Sequence, residues 1–273
     1  MRSRSVWSVP FVADKVNAIS KTAEKQYDEL LSYAKDDKDV LGFILLGSRG
    51  KGIVTKNSDY DIDIIIRNGA KRKFNKNHFL SRGFEGFDIR IKTLDEFEKY
   101  ARFGSEYEWD RYNYARVKVQ IDKNNKIQKL VDEKGGMPLN EKNLHKYIYG
   151  TLDAYVNYVY RSMKCMRDGD ALASRLNAAK ELPYFMNALF ALDHRIAPYY
   201  KYLEWELGEY PIRKFAMDKH LILKSIRGIL DGDIYSQQKL LKATEKTFRE
   251  NGYDGVFDSW EKKLEWMKSA VLK

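Results

Sequence analysis

One stretch of the sequence concentrates residue types that suit phosphate and metal chemistry. Residues 46–63 read LGSRGKGIVTKNSDYDID, so an apolar segment leads into Gly47-Ser48 and a glycine-rich turn. Aspartates then occupy alternate positions, at Asp59, Asp61 and Asp63. Because side chains alternate along a strand, this spacing predicts that the three carboxylates share one face. Crowded carboxylate oxygens suit Mg²⁺, and the glycine backbone with the Ser48 hydroxyl suits phosphate oxygens.

The same residues also allow a structural interpretation. The aspartates could mark a solvent-facing edge strand, and the glycines after Gly47 could belong to an ordinary loop. The combination favours the functional interpretation, because the apolar run 64–66 indicates that the strand bearing the acids continues into the core.

The flanking patterns predict the elements that position this segment. Apolar residues at helical spacing predict a first helix over 14–37, and the segment 93–103 also looks helical. Short apolar or alternating runs predict strands over 40–46, 59–66, 87–92 and 115–121, with the first two as neighbours. The first half is therefore predicted to be mixed α/β with a small sheet.

The second half has a different character. Two glycines and a proline in Gly135-Gly136-Met137-Pro138 form the best internal break. Beyond it the pattern predicts helices over 143–167, 172–192, 216–230, 236–251 and 257–271. We therefore predict an α/β (α+β) chain with a catalytic domain over 1–135 and an all-α domain over 136–273 that completes a cleft.

Composition sets limits on function. The chain has 273 residues, 44% of them hydrophobic and 32% charged, which predicts a soluble globular protein. With no apolar run of ~20 residues and no apolar leader, we expect a cytoplasmic protein with no membrane partner. A single cysteine, Cys165, and four histidines without metal-ligand spacing argue against zinc. The net charge of +10 attracts phosphate groups, although scattered lysines also serve solubility.

The segment 46–63 resembles the nucleotidyltransferase superfamily typified by DNA polymerase β. The signature of that family is an apolar strand, Gly-Ser, a variable loop, and Asp-x-Asp or Asp-x-Glu after an apolar or serine residue. The matching residues here are Gly47, Ser48, Ser58, Asp59 and Asp61. The resemblance covers about the first 130 residues. The helical remainder follows only the general plan of minimal and antibiotic nucleotidyltransferases, such as the kanamycin and lincosamide enzymes.

The resemblance implies a third carboxylate on a nearby strand. Asp88 is the natural candidate; Glu85 is a weaker one, and Asp63 could supplement the pair. The loop departs from the usual Ala-Arg-Gly by having Gly50-Lys51-Gly52 after Arg49, so its ligand contacts stay open.

The implied reaction is transfer of a nucleoside monophosphate from a nucleoside triphosphate to an acceptor hydroxyl, with release of pyrophosphate. Asp59, Asp61 and Asp88 would hold two Mg²⁺ ions, or Mn²⁺, and Asp88 would lower the acceptor's pKa or take its proton. The acceptor is a small molecule in the leading hypothesis. The alternatives are a toxin-type or regulatory enzyme acting on tRNA or protein, and a non-catalytic nucleotide- or nucleic-acid-binding protein.

The helical half offers candidate nucleotide contacts. Tyr160, Lys164 and Arg167 follow helical spacing, so one face could stack a base and bind a triphosphate, and Lys201 could add a cation. The alternative is that the tyrosine packs and the cations are solvated. Glu181 could either face the cleft as an acceptor-binding acid or lie on the helical surface.

Overall fold

The computed structural model describes the backbone of residues 11–75 and 85–272, and the side chains of residues 22–74 and 85–272. His78, one of the four histidines, lies outside the described part. Contacts divide the chain into two units, Met1–Gly135 and Gly136–Lys273. The first contains a small mixed sheet with helices, and the described part of the second is helical. The predicted fold class is therefore confirmed.

In the part of the first unit that the structure describes, the sheet has four strands. They are β1 (Val40–Leu45), β2 (Tyr60–Ile66), β3 (Phe87–Thr93) and β4 (Ile121–Asp122), in the order β3-β2-β1-β4. β1 pairs antiparallel with both β2 and β4, whereas β2 and β3 are parallel. The predicted pairing of the first two strands is confirmed.

Along the sequence, helices alternate with the strands of this unit. They are α1 (Phe11–Asp36), α2 (Gly47–Gly50), α3 (Lys71–Asn75), α4 (Leu94–Lys99) and α5 (Ile127–Gly135), with a 3₁₀ segment at Glu108–Tyr114. The Thr93 side chain and Glu96 form a capping box that fixes the start of α4. The helix predicted over 93–103 ends early, because Tyr100 is already extended (φ −66°, ψ 140°) and Ala101 then takes a left-handed φ of 51°.

The strand predicted over 115–121 is wrong for most of its length. Only Ile121 and the following residue pair with β1. Ala115 and Val117 are indeed buried and alternate with exposed residues, which explains the misleading pattern. However, Arg116 has a φ of 62°, which interrupts the extended backbone that a ladder requires.

The two faces of the sheet differ in chemistry. On one face Tyr60, Ile62 and Ile64 pack in a core with Leu30 of α1 and Phe43. The opposite face of β2 carries Asp61 and Asp63 before it becomes apolar at Ile65, because residues two apart share a face. Ile65 packs in a separate core with Phe97, Tyr114 and Val131. The acids therefore lie on a face that is closed at one end by apolar packing.

The second unit consists of helices linked by short turns. They are α6 (Glu141–Arg167), α7 (Ala171–Ala191), α8 (Leu203–Glu209), α9 (Lys219–Asp231), α10 (Ile234–Arg249), α11 (Asp254–Asp258) and α12 (Glu261–Ser269), with a 3₁₀ turn at Tyr200–Tyr202. Side-chain caps begin four of them, at Asn140, Asp170, Asp218 and Asp233. The helix predicted over 257–271 is divided in two. None of the helices in the described part of the chain combines the length and hydropathy needed to cross a bilayer.

Candidate functional site

Two of the predicted acids lie opposite each other on neighbouring strands. In the parallel register of β2 and β3, Asp61 is the partner of Asp88. Paired positions in a ladder place their side chains on the same face, so the two carboxylates belong to one polar surface. Asp61 is half-buried and Asp88 is exposed. Asp59 is also exposed and lies just before β2. The structure thus brings Asp61 and Asp88 together at one edge of the sheet.

The glycine turn lies directly against this pair. The Leu46 amide donates a 2.8 Å hydrogen bond to the Asp61 carbonyl. A Cβ atom on Gly47 would lie 2.0 Å from Oδ2 of Asp61, and Gly47 has a φ of +60°. A residue without a side chain is therefore required here for both conformation and space. The backbone that was predicted to hold phosphate is in contact with a predicted metal ligand.

The two serines of the motif close the turn. The Ser48 hydroxyl donates to the Ser58 hydroxyl at 2.9 Å, and the Thr55 amide donates to the same Ser58 oxygen at 2.9 Å. Arg49 Nε donates to the Ser58 carbonyl at 3.1 Å. These contacts fix the loop in front of the acids. Phosphate binding by Ser48 and Ser58 stays a prediction.

Lys51 has a structural role that sequence reasoning missed. It is buried, and its Nζ donates to the carbonyls of Tyr112 (3.0 Å), Asn113 (3.2 Å) and Ala115. The lysine therefore satisfies the carbonyl end of the 3₁₀ segment. Where the loop departs from the usual family pattern, the Lys51 side chain thus points into the protein.

Asp63 is a buried ion-pair residue rather than a supplementary metal ligand. Its side chain is 0% exposed, and Oδ1 accepts from Arg90 Nε at 2.7 Å and from Lys92 Nζ at 2.8 Å. Its Oδ2 accepts from the Tyr114 hydroxyl at 2.6 Å. Two cations and a phenol neutralise and solvate this carboxylate, as a buried charge requires.

The same network extends to a second buried acid. Oδ2 of Asp110 accepts from Arg90 Nη1 at 3.0 Å and from the Tyr100 hydroxyl at 2.9 Å. Sequence reasoning missed Asp110, Arg90 and Lys92. A usable signal existed, because Asp88, Arg90 and Lys92 alternate along β3 just as the acids do along β2.

The electrostatics of the network follow from burial and close charges. Burial lowers the pKa of Lys92, although the Asp63 carboxylate opposes this effect. Burial alone disfavours the charged guanidinium, but the nearby Asp63 and Asp110 carboxylates hold the pKa of Arg90 above its usual value. Burial and the Asp63 carboxylate raise the pKa of the Tyr114 hydroxyl. The Tyr114 hydroxyl is therefore kept in its neutral form as a donor to Asp63 Oδ2.

The predicted metal triad is not preassembled. In the ranges whose side chains are described, no three His, Cys, Asp or Glu residues are grouped so that they could hold an ion. Asp61 and Asp88 are ladder partners, but Asp59 is not part of a ladder with them. Ligation by Asp59, Asp61 and Asp88 stays a prediction. Glu85 is exposed just before β3.

The predicted nucleotide contacts of the second unit have partners of their own. The Tyr160 ring lies 5.8 Å from that of Trp260 and 5.9 Å from that of Trp266. Arg167 forms a two-point ion pair with Asp168, with Nε–Oδ1 at 2.7 Å and Nη2–Oδ2 at 3.1 Å. Tyr160 therefore packs against Trp260 and Trp266.

The remaining predicted cations are exposed. Lys164 Nζ lies 5.9 Å from the centre of the Tyr160 ring, and Lys201 Nζ lies 5.4 Å from that of Tyr202. Both side chains face solvent to a large extent. Triphosphate binding by Lys164, Arg167 and Lys201 stays a prediction.

The observed position of Glu181 contradicts both predictions made for this residue. It is neither a cleft residue nor a surface residue, because its side chain is fully buried in the helical core. Gln237 Nε2 donates to its Oε2 at 2.6 Å, and Oε1 lacks a hydrogen-bond partner among the described residues. Burial raises the pKa of Glu181 well above its usual value.

Comparisons with known proteins add little evidence about function to this geometry. No family model matches the chain. No curated protein matches it either. Among solved structures, the chain is similar to a nucleotidyltransferase-like protein from Exiguobacterium sibiricum, with 11% identity, a TM-score of 0.34, and coverage of 91% of this chain and 89% of that one. We therefore base the functional proposal on the residues of the site.

Proposed function

We propose that this protein is a nucleotidyltransferase that transfers a nucleoside monophosphate from a nucleoside triphosphate to an acceptor hydroxyl and releases pyrophosphate. The observation that carries the proposal is the pairing of Asp61 with Asp88 in register, next to the backbone of Gly47. Two acids and a glycine turn at one sheet edge supply what both a divalent cation and a phosphate chain need. The resemblance of residues 46–63 to the superfamily signature points the same way.

The residues present fit a divalent cation. Asp59, Asp61 and Asp88 offer only carboxylate oxygens, the ligands that Mg²⁺ and Mn²⁺ prefer. The nearby cations Arg90 and Lys92 are engaged by acids deeper in the sheet. A cation held by the three aspartates would offset the repulsion between Asp61 and Asp88, and would stabilise the charge on the phosphate oxygens.

The residues of the site would have separate roles in this reaction. The acceptor oxygen attacks the α-phosphorus, the bond from that phosphorus to the bridging oxygen breaks, and pyrophosphate leaves. Asp88 is exposed at the sheet edge, so its carboxylate can take the proton of the acceptor hydroxyl. The Gly47 backbone and the Ser48 side chain would position the triphosphate beside Asp61.

A transfer assay tests the proposal directly. The protein is incubated with each of the four α-³²P-labelled nucleoside triphosphates and Mg²⁺, with aminoglycosides, total RNA or a protein extract as acceptor. We expect labelled product with wild type and with the control Asp36→Asn, an exposed aspartate at the end of α1. Asp61→Asn should give none. Triphosphate binding without transfer to any acceptor would instead indicate a non-catalytic nucleotide-binding protein.

A further inference from the structure

The chain from the end of α4 into the 3₁₀ segment Glu108–Tyr114 displays three large aromatic side chains. Phe103 is 37% exposed, Tyr107 is 41% exposed and Trp109 is 66% exposed. Three exposed large aromatic side chains within seven residues of chain make this segment a candidate binding surface. We call Phe103, Tyr107 and Trp109 the aromatic platform.

The backbone that carries the platform is held firmly. The Gly104 amide donates to Glu108 Oε2 at 2.8 Å, and the Glu108 amide donates to the Ser105 carbonyl at 3.0 Å. The Tyr107 ring stacks on Tyr100, with centroids 4.9 Å apart and an angle of 25° between the planes. The platform is therefore preorganised, which limits the entropy lost when a ligand binds.

The platform is tied to the strand that bears the proposed acceptor acid. Asp110, next to Trp109 in sequence, binds Arg90 of β3 at 3.0 Å and the Tyr100 hydroxyl at 2.9 Å. Arg90 and Asp88 are two residues apart on β3 and therefore share a face. The platform segment is therefore linked, through Asp110 and Arg90, to the strand that bears Asp88.

The charges around the platform select the class of ligand. Between Lys99, the last residue of α4, and Lys118, four cationic side chains are exposed, at Lys99, Arg102, Arg116 and Lys118. Of the acids in residues 99–118, Asp110 is buried, Glu108 is half-buried and Glu106 is exposed. Exposed aromatic rings among exposed cations suit unpaired bases and their phosphates.

We propose that the aromatic platform stacks unpaired bases of a single-stranded nucleic-acid acceptor, while Arg102 and Arg116 contact its phosphates. This inference rests on the proposed function, because it names the acceptor class of that same site. It favours the nucleic-acid alternative over a small-molecule acceptor.

Oligonucleotide binding without any nucleoside triphosphate tests the platform independently of transfer. Fluorescence anisotropy is measured with 12-nucleotide single-stranded RNA, the same sequence as DNA, and a duplex. Stacking of one base predicts that Trp109→Ala weakens single-strand binding by about 5- to 150-fold. Tyr235→Ala, which removes an aromatic side chain of equal 66% exposure in the second unit, should change affinity less than about 2-fold. The RNA and DNA arms show whether the 2′-hydroxyl contributes.

Salt dependence and fold controls complete the experiment. Arg102→Gln should lower the slope of log Kd against log salt concentration by about one. Thermal midpoints of the variants should match wild type because the substituted side chains are exposed. Equal affinity of Trp109→Ala and wild type, or preferred binding of the duplex, would overturn the proposal. So would a wild-type dimer that Trp109→Ala converts to monomer, which would make the platform a contact between copies.

The two proposals fail in different ways. Asp61→Asn should keep full oligonucleotide binding while losing transfer. Platform-dependent binding without transfer in wild type would contradict the proposed function only. Transfer to a small acceptor, with Trp109→Ala binding oligonucleotide as well as wild type does, would contradict the platform only.

Discussion

At the scale of single residues, Asp61 and Asp63 look equivalent in the sequence but differ in how deeply they are buried on β2. Asp61 and Asp63 share a face of β2, yet Asp61 is half-buried at the sheet edge and Asp63 is fully buried between Arg90 and Lys92. Removing one partner of a buried ion pair destabilises the fold, because the remaining charge is left buried and uncompensated. The outer aspartate is therefore suited to chemistry and the inner one to structure.

This difference predicts opposite effects of the same substitution. Asp63→Asn removes the acid paired with the buried Lys92 and one of the two acids paired with Arg90, and we expect a loss of about 3–5 kcal/mol in the free energy of unfolding. Asp61→Asn should leave that free energy unchanged or raise it, because it relieves repulsion from Asp88. Urea unfolding of both variants measures the effect. Equal midpoints for the two would contradict the assignment.

Gly47 allows a test of how closely the turn approaches the site. Gly47→Ala would place a Cβ 2.0 Å from Asp61 Oδ2, so the carboxylate must move and transfer should fall by at least about tenfold. Gly52→Ala is the matched control, because Gly52 also has a positive φ (+75°) but has nothing within 4 Å of an added Cβ. Both variants share the conformational cost of about 1 kcal/mol. Similar transfer rates in the two would refute the contact.

At the scale of elements, sequence patterns predicted what local periodicity determines and missed what distant partners determine. The neighbouring strands β1 and β2, the long helices α6, α7 and α10, and the acid row all follow from spacing in the sequence. The strand predicted over 115–121 failed because its alternation reflects burial of Ala115 and Val117 without a pairing strand. The roles of Asp63 and Lys51 could not be predicted, since their partners lie 27 to 64 residues away along the chain.

Lys51 connects two elements and gives a prediction at this scale. Lys51→Met keeps the apolar stem but removes the donor to the carbonyls of Tyr112, Asn113 and Ala115. Burying carbonyls without a donor should cost about 2–4 kcal/mol of stability, measured by thermal unfolding. The exposed neighbour Lys56→Met serves as control and should cost less than about 0.5 kcal/mol. Unchanged stability with weakened triphosphate binding would show instead that Lys51 contacts phosphate.

At the scale of the whole molecule, one buried acid from each unit shows how its neighbours set its chemistry. In the first unit Asp63 lies between Arg90 and Lys92, whereas in the second unit Glu181 has Gln237 as its hydrogen-bond donor. Burial raises the pKa of Glu181 well above its usual value of 4.5. The folded second unit therefore keeps this proton to a higher pH than the unfolded chain does.

This proton makes stability depend on pH with a defined sign. Because the folded pKa of Glu181 lies above the unfolded one, its contribution is fully present below pH 4.5 and is lost as pH rises through the folded value. In that window the free energy of unfolding should fall by about 1.4 kcal/mol per pH unit from this group. Glu181→Gln should remove the slope and raise the unfolding midpoint at pH 8, while still accepting from Gln237. Urea unfolding from pH 5 to 8, with exposed Glu209→Gln as control, measures it. A slope that persists in Glu181→Gln would assign the pH dependence to other groups.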